Sequence, residues 1–195
     1  MSLYTKTGER KYLKPSERQA FIDAAMLQPS LQRSFCLMLA YTGCRLSEAR
    51  NLRKSDLQLD EQLVSIFTLK RRKNTLTREV PIPPNFVQVL HLAHFNALSP
   101  SGLYLWGQAN EPPPRKTAYR WVKRVMDEAG IHGHQASPKG LRHGFAIHAH
   151  RNGIQLNMLQ KWMGHANIAT TSIYATAAGP EEIELATRMW KGDGV

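Results

Sequence analysis

The sequence predicts a mainly α-helical fold with a small antiparallel β-hairpin or three-stranded sheet, which is the α+β class. Apolar residues recur at helical spacing towards both ends of the chain, and two short runs rich in β-branched residues lie between them. The length of 195 residues fits one domain that can bury a core without disulfide bonds. We therefore expect one domain in which helices flank a small sheet.

The first helix is predicted to begin at Pro15, because proline and Glu17 suit the first and third positions of a helix. A strongly apolar helix follows over residues 31–41 and is broken by a glycine. Another helix is predicted over residues 46–52. Arg45 is thus expected at the corner between two helices.

Residues 63–69 form a run of β-branched and aromatic side chains, which predicts a strand. Residues 78–83 could return beside it as an edge strand, since prolines are tolerated only there. The connection over residues 70–77 is strongly basic. We expect this connection to be the tip of a hairpin.

Helical spacing returns over residues 85–95 and 117–129, and a glycine- and proline-rich loop connects the two stretches over 99–114. Residues 180–190 are predicted to form an amphipathic helix near the end of the chain. All these stretches are expected to share one core, because neither side of the loop could form a core alone.

The chain is strongly basic, with 26 Lys and Arg against 15 Asp and Glu and a formal net charge of +11. Such an excess favours a polyanionic partner, because protein cations displace the counterions condensed on phosphates. Nucleic acid is the leading candidate, and a solvated basic surface without a partner is the alternative. A basic helix and the basic hairpin are the candidates for contact with nucleic acid. The cations of that helix are Arg115, Lys116, Arg120, Lys123 and Arg124.

Two cysteines, Cys36 and Cys44, are too few for a disulfide framework or a zinc site and are expected to be reduced and buried. The paired histidines of the chain lack cysteine or carboxylate partners at ligand spacing, so no metal site is predicted. There is no signal-like apolar segment and no run of the length of a membrane span. We expect a cytoplasmic, nucleoid-associated protein with no membrane partner.

A site for chemistry on a phosphate is suggested by several residues. Arg45 and Arg142 could bind phosphate oxygens bidentately while staying charged. Tyr174 could attack a phosphodiester, since its phenolate is stable enough to leave in the reverse reaction. A lysine of the basic hairpin could protonate the leaving sugar oxygen.

Four motifs in this chain resemble, in order and spacing, those of the tyrosine recombinases of the phage integrase family. Thr42-Gly-Cys-Arg-Leu-Ser-Glu48 resembles the first arginine motif, T-G-x-R-x-x-E, and Lys139-Gly-Leu-Arg-His143 resembles the second, H-x-L-R-H. Leu159-Gln-Lys-Trp-Met-Gly-His165 and Thr170-Thr-Ser-Ile-Tyr174 resemble the L-G-H and T-x-x-Y motifs. The resemblance extends from about residue 13 to residue 175.

The resemblance implies the catalytic-domain fold of that family and site-specific DNA recombination through a 3′-phosphotyrosyl intermediate. Tyr174 would attack the scissile phosphate, and Arg45 and Arg142 would bind its non-bridging oxygens. His165 would add a hydrogen bond to the same phosphate. Lys70 would protonate the 5′ oxygen that leaves.

The resemblance also implies which partners the chain has and that it needs no cofactor. The partner would be double-stranded DNA, and a homotetramer would assemble on two recombination sites from chains that are monomeric without DNA. No cofactor would be needed, neither ATP nor a metal, since the covalent link conserves the energy of the phosphodiester bond.

Two positions leave alternatives open. Lys139 stands where a histidine is usual, so it could bind phosphate, whereas acting as a base on Tyr174 would require a depressed pKa. The hairpin acid could be Lys70, at the strand end, or Lys73, nearer the return strand. His143 is expected to support the site from beside Arg142.

The expected organisation is an N-terminal extension over residues 1–12, a catalytic domain over 13–179 and a C-terminal tail over 180–195 that docks on a neighbouring subunit. The chain would be either a catalytic fragment or a short member that manages with this domain alone. Two other functions remain open, a DNA-relaxing enzyme like the type IB topoisomerases and a basic DNA-binding protein without catalysis.

Overall fold

The computed structural model describes residues 2–68, 77–95, 102–108, 110–175 and 187. In these residues, helices surround one small antiparallel sheet, as the sequence predicts. The helices are α1 Pro15–Met26, α2 Ser30–Thr42, α3 Leu46–Arg50, α4 Pro84–His94, α5 Arg115–Glu128, α6 Pro138–Arg151, α7 Leu156–Met163 and α8 Ala169–Ser172. The strands are β1 Leu57–Gln58, β2 Leu63–Phe67 and β3 Thr77–Pro81.

The predicted helix starts and stops follow from local chemistry. Pro15 is the first residue of α1, and the Glu17 carboxylate accepts the backbone N–H of Lys14 at 2.8 Å. Helix α2 ends at Gly43, whose φ of 61° is the left-handed conformation that glycine adopts at low cost. Helix α3 then begins after Arg45, so the predicted corner is confirmed.

The sheet has the order β1-β2-β3, with both pairs antiparallel. Val64 pairs with Val80, and Ile66 pairs with Arg78. All four side chains are buried, so the inward face carries one arginine among apolar residues. The predicted hairpin is confirmed as a strand pair, and its basic tip lies outside the described residues.

Helix α2 lies at the centre of the main core and packs against α1, α3, α4, α5 and α6. A second apolar cluster forms where α6 packs against α7, and the ring of Tyr174 is part of this cluster. Helix α6 takes part in both clusters, and hydrogen bonds from its Arg142 to the carbonyls of Gly43 and Met163 hold the ends of α2 and α7 beside it. Both cysteines are free and buried in the described structure.

Some predicted bounds differ from the observed ones. Helix α5 begins at Arg115, directly after Pro114, two residues before the predicted start. Helix α3 ends at Arg50 and not at Leu52. The helix predicted over 180–190 lies outside the described residues apart from Thr187. Among the helices that the structure describes, none has the length and apolar character of a membrane span.

Candidate active site

Arg45 occupies the corner between α2 and α3, where its side chain is fixed by the first turn of α3. Its Nη1 donates to Glu48 Oε1 at 2.7 Å, and its backbone N–H donates to Glu48 Oε2 at 2.8 Å. The Arg45 side chain keeps 25% of its surface exposed. It can therefore donate to an external anion while Glu48 holds it in place.

Glu48 also binds a second arginine from the sheet. Arg78 Nη2 donates to Glu48 Oε2 at 2.6 Å, and both side chains are almost fully buried. Burial alone would raise the pKa of the Glu48 carboxyl, but the charge of Arg78 and hydrogen bonds from Arg78 and Arg45 lower it. Glu48 is thus an ionised link between the Arg45 corner and strand β3.

Arg142 projects from α6 and connects the segments that follow α2 and α7. Its Nη1 donates to the carbonyl of Gly43 at 2.7 Å, and its Nη2 donates to the carbonyl of Met163 at 2.6 Å. Burial first, and then the nearby charge of Arg45, lower the pKa of Arg142 to about 10. The guanidinium therefore stays charged at neutral pH.

His165 follows the end of α7. Helix α7 stops at Gly164, whose φ is 61°, and a side chain there would collide with Arg78. His165 Nδ1 lies 3.0 Å from the Thr171 hydroxyl, and its ring stacks on that of Tyr174 with centroids 6.3 Å apart. Burial, followed by the charges of Arg142 and Arg45, lowers the pKa of His165 to about 3, so the imidazole is neutral.

Tyr174 is 2% exposed, and its hydroxyl lies 2.9 Å from His143 Nδ1. Burial raises the pKa of the hydroxyl to about 12, against the opposing effect of Arg142 and Arg45. Arg142 bonds to the carbonyl of Gly43, two residues before Arg45, and to that of Met163, two residues before His165, whose ring stacks on Tyr174. Folding thus brings Arg45 and Tyr174 into one site, although more than 120 residues of sequence separate them.

Of the lysines predicted for the site, the structure describes only Lys139. Lys139 is the second residue of α6 and is exposed, and its charge acts on the neighbouring His143. Lys70 and Lys73 lie outside the described residues. The structure thus brings together Arg45, Arg142, His165 and Tyr174, with Lys139 at the edge of the group.

An open cleft of about 410 Å³ borders His165 at the base of the β2–β3 hairpin. Most of the residues that line it are of polar type, and one of them, Lys161, is exposed. In the described part of the chain, no group of three or more histidine, cysteine, aspartate or glutamate residues is placed to hold a metal ion. The cleft is lined by Thr68, Thr77, Arg78, Asn157, Gln160, Lys161, Gly164, His165 and Ala166.

The contacts that two residues make in the site were not predicted from the sequence. Arg78 was expected only to be part of a strand, although its alternation with Val80 places it on the inward face, where a charge needs a buried partner. His143 was expected to support the site from beside Arg142, and the structure places its Nδ1 atom within hydrogen-bond distance of the Tyr174 hydroxyl. The alternation signal could have found Arg78, but no sequence signal marks the pairing of His143 with Tyr174.

The arrangement places two arginines and a neutral histidine near one buried tyrosine, which is suited to an anionic substrate. Comparison with known proteins decides the family: the model described as "Phage integrase family" matches residues 11–179. The chain belongs to the phage integrase family. The predicted resemblance is therefore confirmed.

Other family members are similar to this chain over most of its length. A tyrosine recombinase of Thermosipho africanus is 28% identical over 158 residues, which is 81% of this chain and 54% of the relative. Tyrosine recombinase XerA of Thermococcus kodakarensis is 33% identical over 146 residues, which is 73% of this chain and 49% of the relative. The chain thus spans about half the length of the curated relatives it matches.

The fold of the phage integrase catalytic domain is confirmed by solved structures. A crystal structure of XerA recombinase, 29% identical, superimposes with a TM-score of 0.75 over 91% of this chain and 64% of the other. A crystal structure of XerH site-specific recombinase bound to palindromic difH substrate superimposes with a TM-score of 0.74 at 20% identity, over 98% of this chain and 57% of the other. The second match supports the fold alone.

Proposed function

We propose that this chain provides the catalytic domain of a site-specific DNA recombinase, which cuts and rejoins DNA through a 3′-phosphotyrosyl intermediate. The observation that carries the proposal is that Arg45, Arg142 and His165 are grouped around the buried Tyr174: the His165 ring stacks on the Tyr174 ring, and the charges of both arginines act on its hydroxyl. DNA binding alone needs a basic surface and no such ordered set. Several solved structures that share this fold are recombinases or integrases bound to DNA.

In the proposed reaction, the Tyr174 hydroxyl attacks the scissile phosphate and displaces the 5′ oxygen of the next nucleotide. Arg45 donates its exposed N–H groups to the non-bridging oxygens, and the buried Arg142 adds positive charge to the same site. Neutral His165 donates a hydrogen bond to the same phosphate. Because Arg45 is already held by Glu48, Arg142 by two backbone carbonyls and His165 by the Thr171 hydroxyl, little reorganisation is needed when charge develops in the transition state.

The leaving oxygen needs a proton, and we assign this step to Lys70 of the hairpin, with Lys73 as the alternative. Lys139 is exposed beside the site and is assigned to phosphate binding. A 5′-hydroxyl from a partner strand then attacks the phosphotyrosyl bond and releases Tyr174. The number of phosphodiester bonds is conserved, so the reaction requires no ATP and no metal.

The partners follow from the same reaction. Two recombination sites each bind two chains, so we propose a homotetramer formed on double-stranded DNA within the nucleoid.

Residues 13–179 would carry catalysis, and residues 180–195 would dock on a neighbouring subunit. Truncation after Gly179 should then impair the pairing of two sites, seen by gel mobility, more than it impairs cleavage of one site. Equal loss of both activities would contradict this docking role.

The proposal is tested with nicked duplexes whose central segment is randomised. A nick near the cleavage point lets the short cut strand diffuse away, so the covalent adduct accumulates. Adducts recovered after denaturation should share a sequence, and that sequence identifies the site. Tyr174→Phe is the matched control because it removes only the nucleophilic oxygen. Absence of any adduct, or an unchanged yield in Tyr174→Phe, would contradict the proposed function.

A further inference from the structure

The Tyr174 hydroxyl and His143 form a buried hydrogen-bonded pair. The His143 Nδ1 atom is 2.9 Å from the hydroxyl oxygen and is the only hydrogen-bond partner of that oxygen in the described part of the chain. The two rings lie 5.8 Å apart and are inclined by 51°, and both residues are 2% exposed. The other ring nitrogen, Nε2, is buried and has no hydrogen-bond partner among the described residues.

The direction of this hydrogen bond follows from counting unsatisfied groups. If Nδ1 carried the proton, both the Tyr174 O–H and the lone pair of Nε2 would be left without a partner. If the Tyr174 O–H donates to Nδ1, only the Nε2–H is left. Since each buried unsatisfied group costs about 1–3 kcal/mol, the second arrangement is favoured. The lone pair of Nδ1 therefore points at the proton that must leave Tyr174.

We propose that His143 is the general base of the reaction and accepts the Tyr174 proton on Nδ1. The inference rests on the proposed function and supplies its missing proton acceptor. The Tyr174 oxygen forms a bond to phosphorus as its O–H bond breaks, and the proton moves to Nδ1. The P–O5′ bond breaks, and the 5′ oxygen takes a proton from the hairpin lysine. In the rejoining step, both protons return.

The charges around His143 explain how such a base could act only when DNA is bound. Burial, followed by the charges of Lys139, Arg142 and Lys11, lowers the pKa of His143 to about 4, so the imidazole is neutral in the free protein. A bound phosphodiester would bring negative charge among these cations. It would thereby raise the affinity of His143 for a proton at the moment when Tyr174 has to release one.

Lys139 is the competing candidate for the base, since it occupies the position of the usual histidine. It is exposed and forms no hydrogen bond with the Tyr174 hydroxyl, whose partner is His143. A general base has to lie within hydrogen-bond reach of the proton that it abstracts. Geometry thus favours His143 for the proton and leaves Lys139 for the phosphate.

The test uses the full chain and the nicked duplex recovered in the adduct selection. His143→Asn keeps an amide near the position of Nδ1, so it can still hold the hydroxyl, but it cannot take up a proton. Single-turnover cleavage should slow by about 10²–10⁴-fold. His143→Gln is the second variant, and thermal unfolding together with DNA binding shows that each variant is folded.

A fluorinated tyrosine at position 174 separates a base from a mere positioning contact. Its hydroxyl is more acidic and depends less on a base, so the ratio between wild-type and His143→Asn rates should shrink by at least about tenfold. A 5′-bridging sulfur, which leaves without a proton, should rescue the loss of the hairpin lysine but should not rescue His143→Asn.

Three results would overturn the assignment. Cleavage by both His143 variants within about threefold of wild type would exclude a base, as would an equal defect with tyrosine and fluorotyrosine. In wild type, a cleavage rate that is constant from pH 7 to pH 4 would also exclude it, because no proton acceptor would then be titrated. In each case wild type still forms its adduct, whereas failure of the proposed function would leave no adduct at all.

Discussion

Glu48 holds the two arginines that connect the catalytic corner to the sheet. Arg45 binds one side of the carboxylate from the surface, and Arg78 binds it from the core. Arg78 also donates to the Thr68 hydroxyl at 3.0 Å and to the Trp162 carbonyl at 2.7 Å. One buried network thus fixes Arg45 relative to the turn that carries His165.

Glu48→Gln should lower the free energy of unfolding by about 3–5 kcal/mol, because it leaves two guanidinium groups without their buried counter-charge. Urea denaturation measures the change. Asp127→Asn is the matched control, since Asp127 faces Lys123 at 3.8 Å and is 58% exposed, and it should change stability by less than about 1 kcal/mol. Similar effects of the two substitutions would refute the structural role of Glu48.

At the scale of single residues, the sequence revealed the chemistry but not all of the contacts. Tyr174, Arg142 and Arg45 could be named because their residue types and motif spacing indicate phosphate chemistry. The roles of His143 and Arg78 depend on burial and on partners 31 and 30 residues away, respectively. Such pairings arise from tertiary packing: the alternation along β3 indicates that Arg78 faces inward, but no local pattern identifies its partner or that of His143.

At the scale of elements, the corner between α2 and α3 is shaped by one glycine. Gly43 has a φ of 61°, and a Cβ at this position would lie 2.2 Å from the Phe145 ring. The carbonyl of Gly43 also accepts a hydrogen bond from Arg142. The corner therefore joins α2, α3 and α6 at close range.

Gly43→Ala should destabilise the protein by several kcal/mol and reduce cleavage, because Phe145 and Arg45 would both be displaced. Gly153→Ala is the matched control, since Gly153 also has a positive φ, 82°, but open space around its Cβ position. This control should cost only about 1–2 kcal/mol and leave cleavage intact. Thermal unfolding and adduct yield are measured together, and equal losses in the two variants would contradict the packing argument.

The bounds of several elements could be predicted because they depend on local chemistry. Proline starts α1, and glycine ends α2, within a residue or so of the predicted positions. Strand β1 has only two residues, and its pairing with β2 comes from the tertiary fold. The sequence therefore predicted a third strand only as the alternative to a two-stranded hairpin, and did not locate it.

At the scale of the whole molecule, buried neutral histidines make stability depend on pH. Burial is the main cause that lowers the pKa of His94 and His143 to about 4 and of His165 to about 3, compared with an ordinary value of 6.5. Below pH 6.5 the unfolded chain takes up protons that the folded chain does not. Stability should therefore fall as pH decreases from about 6.5 towards 4.

His94→Phe should reduce this acid sensitivity without involving the active site. His94 is fully buried against the Trp106 ring, and its Nε2 contacts the Ser34 hydroxyl at 3.1 Å. The melting temperature of the variant should change less between pH 6.5 and pH 4 than that of wild type. His132→Gln, at a position that is 74% exposed, should retain the wild-type dependence. If the melting temperature of His94→Phe changed with pH as much as that of wild type, burial of neutral histidines would not be the cause of the acid sensitivity.

The most direct measurement of the central claim is mass spectrometry of the trapped protein–DNA adduct. Trypsin releases a peptide from Trp162 to Arg188 that contains Tyr174 and no other tyrosine. After nuclease digestion, this peptide should carry a nucleotide linked through its 3′-phosphate to Tyr174. A nucleotide on any other residue, or an unmodified peptide from an adduct-forming sample, would contradict the account.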